Sequence, residues 1–461
     1  MSGLADLSLA ELSRELRARR VTSIEATEAC LQRIAERDEL LNSFRTLCAD
    51  EARAEAAERD RELADGRWRG PLHGVPLGLK DLLQTAGIRT TAGSALLRDW
   101  VPDADATVVR RLRNAGAVSL GKLNMYEFAF GATSDNPHYG PVRNPHDPAR
   151  GTGGSSSGSG AAVAAGLCYG SVGSDTGGSI RCPAALCGIV GLKPTYGRVS
   201  RHGAVPLAWS LDHLGPMART VTDAALLLEA LAGHDPADPT SSTRPVPPYA
   251  ARLEGGVRGL RVGIPRELFW SWCHSEVELR VREAIELLRR EGAEIREVSL
   301  PSLDYAATVQ GCLILAEAAA YHREWLATRS GDYGSRVRMR LAEGLCVEAA
   351  DYLNALQARQ LLRDDFSRVF QEVDALLTPA VPIPAPRLDQ EYVAVHDGVA
   401  PAQFYMVRNT FVFNMTGTPA VSVPCGAAEG MPVGLQIAGR AWEEETVLRI
   451  ARAWERVFRG E

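Results

Sequence analysis

The chain has 461 residues, 45% of them hydrophobic and 23% charged, proportions that exclude a disordered, collagenous or fibrous protein and leave room for a large core. A net charge of −6 without any dense basic stripe argues against nucleic acid as a partner. Nine cysteines, odd in number and without a C-x-x-C pair, argue for reduced thiols packed as small apolar groups, with neither disulfides nor a zinc site.

Ser2, Asp6 and Glu11 stand where a signal peptide would carry positive charge and then an apolar run, so the start reads as that of a cytoplasmic protein. Ser8-x-x-Glu11 and Thr22-x-x-Glu25 have capping-box spacing, and Ile24, Thr27, Leu31 and Ile34 recur at helical intervals. Residues 1–65 are therefore expected as an N-terminal helical segment. From Leu72 a β-like stretch over residues 73–80, a helix near residues 107–114 and a short strand at 117–120 alternate, the pattern of a mixed α/β sheet. Residues 131–203 are rich in Gly, Ser, Asn and Pro, and read as tightly packed loops beside a buried small-residue helix at 161–166. The apolar stretch 161–172 is shorter than the about 18 residues a membrane span needs, so no membrane is expected.

Residues 66–237 thus read as a core with Ser/Gly-rich loops, and residues 238–258 as a Pro-rich surface connector within a stretch, 235–256, that holds five prolines. Residues 259–461 complete the α/β domain, with strands at 261–264, 294–298, 375–377, 420–423 and 433–437. Helices are expected near 277–290 and 443–458, and a long helical block over 305–370 as pocket or lid.

Of the 51 basic residues, only Lys80, Lys122 and Lys193 are lysine; 48 are arginine. A base that must lose its proton cannot be arginine, so each lysine is a candidate. Lys80 closes an apolar run, Val75-Pro-Leu-Gly-Leu-Lys80, whereas Lys122 and Lys193 read as structural, the default for a side chain as easily used in pairing. The segment Gly151-Thr-Gly-Gly-Ser155-Ser156-Ser157-Gly158-Ser159-Gly160 lacks the lysine of a phosphate-binding loop, and no strand precedes it as a dinucleotide fingerprint or nucleophile elbow requires. A second cluster, Ser174-Asp175-Thr176-Gly177-Gly178-Ser179-Ile180-Arg181, sets a serine after two glycines, where successive backbone N–H groups can converge on one point as in an oxyanion hole.

These two loops with an upstream lysine resemble the amidase signature family. So do Cys187-Gly-Ile-Val-Gly-Leu-Lys193-Pro-Thr-Tyr-Gly-Arg198, Ser210-Leu-Asp-His-Leu-Gly-Pro216 and Gly417-Thr418-Pro419-Ala-Val-Ser-Val-Pro424. The resemblance implies a mixed, twisted central β-sheet covered by helices on both sides. It also implies Ser179 as nucleophile, Ser155 as bridging serine behind a cis Gly154–Ser155 peptide, and Lys80 as base. The N–H groups of Thr176, Gly177, Gly178 and Ser179 would hold the oxyanion, and Tyr126, Phe128, Ala129, Phe130 and Thr133 would shape the acyl pocket. No cofactor and no metal are implied, and His73, His138, His146, His202 and His213 match no catalytic position. Arg181 and Asp175 are expected to brace the nucleophile loop.

The expected activity is hydrolysis of a small-molecule carboxamide or ureido amide through an acyl-enzyme, with homodimerisation left open. A glutamine-hydrolysing A subunit of a tRNA-dependent amidotransferase is the second reading and a non-catalytic binding scaffold the third. Glu317-Ala-Ala-Ala-Tyr321-His-Arg-Glu-Trp325 stands where the A subunits carry Asn-Leu-Ala-Arg-Tyr-Asp-Gly, which favours the stand-alone hydrolase.

Overall fold

The computed structural model describes residues 3–460. Ser2, part of the reading of the chain's start, lies outside them, as do the outermost positions of the expected 1–65 and 259–461 segments. Thirteen strands are described: β1 (Phe44–Leu47), β2 (Pro76–Lys80), β3 (Val118–Leu123), β4 (Gly170–Asp175), β5 (Val190–Lys193), β6 (His213–Ala218), β7 (Arg261–Pro265), β8 (Glu294–Val298), β9 (Ala375–Pro379), β10 (Tyr392–Val395), β11 (Gly398–Pro401), β12 (Ala420–Ala428) and β13 (Met431–Gly439). Eleven of them form one mixed sheet in the order β1-β3-β2-β4-β6-β5-β12-β13-β9-β7-β8, and β10 pairs with β11 in a separate hairpin. β2 runs parallel to both β3 and β4, and β7 parallel to both β8 and β9; the pairs between these two groups are antiparallel. Strands on both sides of the Pro-rich connector therefore share one sheet.

Local sequence accounts for many boundaries. The helices Leu9–Arg17 and Ser23–Leu41 open on the two capping boxes, the Ser8 and Thr22 side chains each accepting from the N–H three residues on while Glu11 and Glu25 reach back. The expectation of an entirely helical N-terminal segment is corrected by β1. Asn42 takes the left-handed conformation that ends a helix, and the next residues find hydrogen-bond partners on β3, a tertiary pairing that no local pattern announces.

The reading of residues 131–203 as loops around one helix is also corrected. The buried helix exists, as Ser157–Ala164, but β4, β5 and the helix Arg181–Cys187 lie in the same stretch. β4, Gly-Ser-Val-Gly-Ser-Asp, is buried at every position between β2 and β6, so it has neither the alternation nor the bulk by which strands are recognised. The connector 238–258 runs mostly at the surface, anchored at a few points. Just before it, Asp235 is buried and accepts from Thr107 Oγ1 at 2.6 Å and Ser200 Oγ at 2.5 Å, and within it Tyr249 and Leu253 enter the core. The helical block resolves into Ala306–Arg329, Ser335–Leu345 and Ala349–Glu372. Among the described residues no helix is long and apolar enough to cross a membrane.

Candidate active site

Lys80 ends β2, a strand buried at all five positions, and its amine reaches a pocket of hydroxyls. Nζ donates to Ser155 Oγ at 2.7 Å, to Ser156 Oγ at 2.8 Å and to Ser174 Oγ at 2.8 Å. Three hydroxyl oxygens satisfy an ammonium completely, and because a hydroxyl can also turn and donate, the same cage accommodates a neutral amine with its lone pair. Burial pushes the Lys80 pKa well below its ordinary value, against the attraction of Asp175 and Asp212.

Ser155 and Ser156 immediately precede the helix Ser157–Ala164, and the Gly154–Ser155 peptide is cis. A side chain at Gly154 would put Cβ 2.2 Å from the Thr133 carbonyl oxygen, so the chain can enter this turn only through glycine. Ser156 is further tied to β4, its Oγ donating to the Ser174 carbonyl at 3.2 Å.

Ser179 sits in the turn between β4 and the helix Arg181–Cys187, 6% exposed and facing a cavity of about 760 Å³. Its hydroxyl makes no hydrogen bond among the described residues, to Ser155 Oγ or to any other group. The N–H groups of Thr176, Gly177, Gly178 and Ser179 likewise find no acceptor among the described residues. Gly178 takes φ of 136°, and a Cβ there would lie 2.0 Å from Thr410 Oγ1.

This turn is clamped from below. Arg181 binds Asp175 through two nitrogens, Nη2 to Oδ1 at 2.9 Å and Nε to Oδ2 at 3.0 Å, with both side chains fully buried. Its remaining hydrogens go to the Thr410 carbonyl at 2.9 Å, Gln436 Oε1 at 2.8 Å and Asn414 Oδ1 at 2.8 Å. Burial alone would raise the Asp175 carboxyl, but the Arg181 guanidinium overcomes it and holds the group well below the usual carboxylate range.

Ala129, Phe130 and Thr133 line the cavity, together with Gln310, Arg336 and Phe404. Tyr126 and Phe128, expected beside them, do not. Phe128 lies in a tight turn with φ of 47°, and its ring packs in the core on His322, Trp325 and Tyr333. The Arg340 guanidinium covers the Phe130 ring at 4.1 Å.

The other lysines lie elsewhere. Lys122 donates to Thr90 Oγ1 and the Leu83 carbonyl and stands 3.7 Å from Asp81, burial bringing its pKa down to about 8. Lys193 donates to the carbonyls of Thr418 and Pro194. Among the described residues no three His, Cys, Asp or Glu side chains converge as metal ligands would.

Sequence reasoning missed Ser156 and Ser174 as partners of Lys80. Ser174 had a signal, since it lies in the quoted loop two residues from Val172 on a strand, hence on the same face. Thr410 and Asn414 had none, being more than 220 positions from the arginine they hold.

The amidase family model matches residues 25–448. The A subunit of the glutamyl-tRNA(Gln) amidotransferase of Roseiflexus sp. is 45% identical, covering 99% of this chain and 97% of that protein. A solved structure described as an unexpected vestigial protein complex revealing the evolutionary origins of an s-triazine catabolic enzyme superposes with a TM-score of 0.94 at 37% identity, covering 98% of each chain. Native peptide amidase from Stenotrophomonas maltophilia gives 0.88 at 36% identity, over 100% of this chain and 98% of that one. Fold and relatives define an amidohydrolase, an enzyme that cleaves the C–N bond of linear amides. The chain belongs to the amidase family, with the amidase signature fold.

Proposed function

We propose that the chain hydrolyses a small-molecule carboxamide or ureido amide to acid and amine or ammonia, through Ser179, Ser155 and Lys80. The observation that carries this reading is the 2.7 Å hydrogen bond from buried Lys80 to Ser155, beside a serine whose hydroxyl opens on the cavity.

In the proposed cycle Ser179 Oγ attacks the amide carbonyl and its proton passes to Ser155, whose own proton passes to neutral Lys80. Burial favours the neutral amine this step needs. The oxyanion takes the free N–H groups of Thr176 to Ser179, already fixed by the Asp175–Arg181 clamp, so little reorganisation is left for the moment of reaction. Lys80 then returns a proton through Ser155 to the leaving nitrogen, the C–N bond breaks, and amine or ammonia departs. Water, deprotonated along the same relay, cleaves the ester to Ser179 and regenerates the free hydroxyl.

A second reading, glutamine hydrolysis within a tRNA-dependent amidotransferase, is favoured by the 45% identity with such an A subunit over nearly the whole chain. The helix Ala306–Arg329 supports the first reading, since it carries Glu317 to Trp325 in place of the A-subunit pattern. The experiment is ammonia release by the isolated chain from a panel of aliphatic, aromatic and ureido amides with glutamine included. Turnover of a simple amide by the chain alone upholds the first reading. Activity confined to glutamine selects the second, and no release from any amide overturns the first.

A further inference from the structure

Asp212 lies in the turn before β6, outside the loops that carry the proposed catalytic groups, and touches one of those loops through Thr176. Its Oδ1 accepts from Thr176 Oγ1 at 2.5 Å, and its two oxygens accept from the N–H groups of Leu207 and Ala208 at 3.0 to 3.2 Å. Thr176 is the first of the four residues whose N–H groups lack an acceptor. Asp212 also lines, with Ser174 and Thr176, a smaller chamber of about 190 Å³ that shares Ala129, Thr176 and Leu207 with the main cavity. Ser174 is one of the three hydroxyls on Lys80.

We propose that Asp212 is a positioning residue that couples the oxyanion loop to the base. Its carboxylate holds the Thr176 hydroxyl, while its charge sets how readily Lys80 gives up and regains a proton. The proposal rests on the reading of Lys80 as the base.

The charges around Lys80 single out Asp212. From β4 comes Asp175, whose charge is matched by Arg181 and further by Lys193 of β5, while His213 of β6 is kept neutral by its burial. From β3 comes Lys122, matched by Asp81, the residue that follows Lys80. The helix Ser157–Ala164 brings no charged group, and the buried face of the helix Ser23–Leu41 brings only Cys30, whose thiol burial keeps protonated. Asp212 is in no ion pair among the described residues. The nearby Arg201 spends its hydrogen bonds on Thr240 and the Trp209 carbonyl and lies 3.6 Å from Asp238. Asp212 is separated from Lys80 by Ser174, which lines the smaller chamber and holds the amine; burial pushes the Asp212 carboxyl up while Thr176 and Arg201 pull it down, and both Asp175 and Asp212 favour the ammonium form of Lys80.

The test is the pH profile of kcat/KM on one good amide, whose acid limb reports the loss of the proton from the base. Asp212→Asn is expected to move that limb to lower pH by about half a unit or more, because the neutral lysine is no longer opposed by the carboxylate. Arg201→Gln, which removes the cation near Asp212 and leaves the carboxylate in place, is expected to move it the other way. Thr176→Val is expected to lower kcat with the limb in place, since it cuts the hydroxyl contact and keeps the charge. A wild-type limb that neither Asp212→Asn nor Arg201→Gln moves overturns the role of Asp212 alone, and Arg201→Gln decides if Asp212→Asn does not fold. A flat wild-type profile, or full turnover by Lys80→Arg, overturns Lys80 as base and this proposal with it.

Discussion

Replacing Lys80 separates the chemistry of the site from its charge. Lys80→Arg keeps a cation at the end of β2 but places there a group that stays protonated at every usable pH. Lys80→Met keeps the length of the stem and removes the nitrogen. In the methionine variant Ser155 Oγ and Ser174 Oγ lose their only described hydrogen-bond partner, at about 1–3 kcal/mol for each buried hydroxyl, whereas Ser156 Oγ keeps the Ser174 carbonyl. Both variants are therefore expected to melt earlier than the wild type and must be assayed well below their Tm. A positioned general base contributes about 10²–10⁴-fold, so kcat/KM should fall by roughly 3–5.5 kcal/mol of transition-state stabilisation in both. The assay is ammonia release from one amide, with folded protein verified by circular dichroism at the assay temperature. If the folded arginine variant kept turnover within tenfold of the wild type, a proton-accepting Lys80 would be untenable.

Ser179→Ala should abolish turnover, while Ser156→Ala should cost about tenfold because it loosens Lys80 without touching the proposed nucleophile; equal losses in a side-by-side rate measurement would speak against this division of roles. Asp175→Asn leaves the Arg181 guanidinium buried without its counter-charge, and chemical denaturation should show about 3–5 kcal/mol less stability. Because folding depresses the Asp175 pKa, the wild-type contribution is fully present above the unfolded value of about 3.9 and is lost as pH falls toward the folded value, so the gap between the two proteins should close only in strong acid. Gly178→Ala combines a conformation that side chains disfavour with a 2.0 Å approach to Thr410, and should lose most of kcat while KM changes little; an active Gly178→Ala enzyme would mean that the turn is not shaped for the oxyanion.

What the sequence discloses is what local chemistry writes into it. Capping boxes, the strand ending on Lys80 and the paired glycines before Ser179 are consecutive residues whose pattern carries its own cause. β4 escaped notice because burial on both faces and small side chains erase the alternation that marks a strand. β1 escaped because its partner is more than seventy residues away. Phe128 is expected at the pocket beside Phe130, but two successive left-handed residues, Phe128 and Ala129, turn the chain so that one ring enters the core and the other the cavity wall.

The contacts of Arg181 bear on when during synthesis the enzyme becomes competent. A nascent chain that has emerged as far as Tyr249 already contains Lys80, Ser155 and Ser179, but three of the acceptors that hold the guanidinium, at Thr410, Asn414 and Gln436, are still to be made. Until they arrive, a buried arginine beneath the Ser179 turn would lack three of its four side-chain partner residues, a state too costly to persist. Domains that fold as they leave the ribosome can act before translation ends, whereas here β12 and β13 must join the sheet first. Prematurely terminated chains should therefore be hydrolytically silent even when they contain every reactive group, which makes completion of the polypeptide a built-in checkpoint on activity.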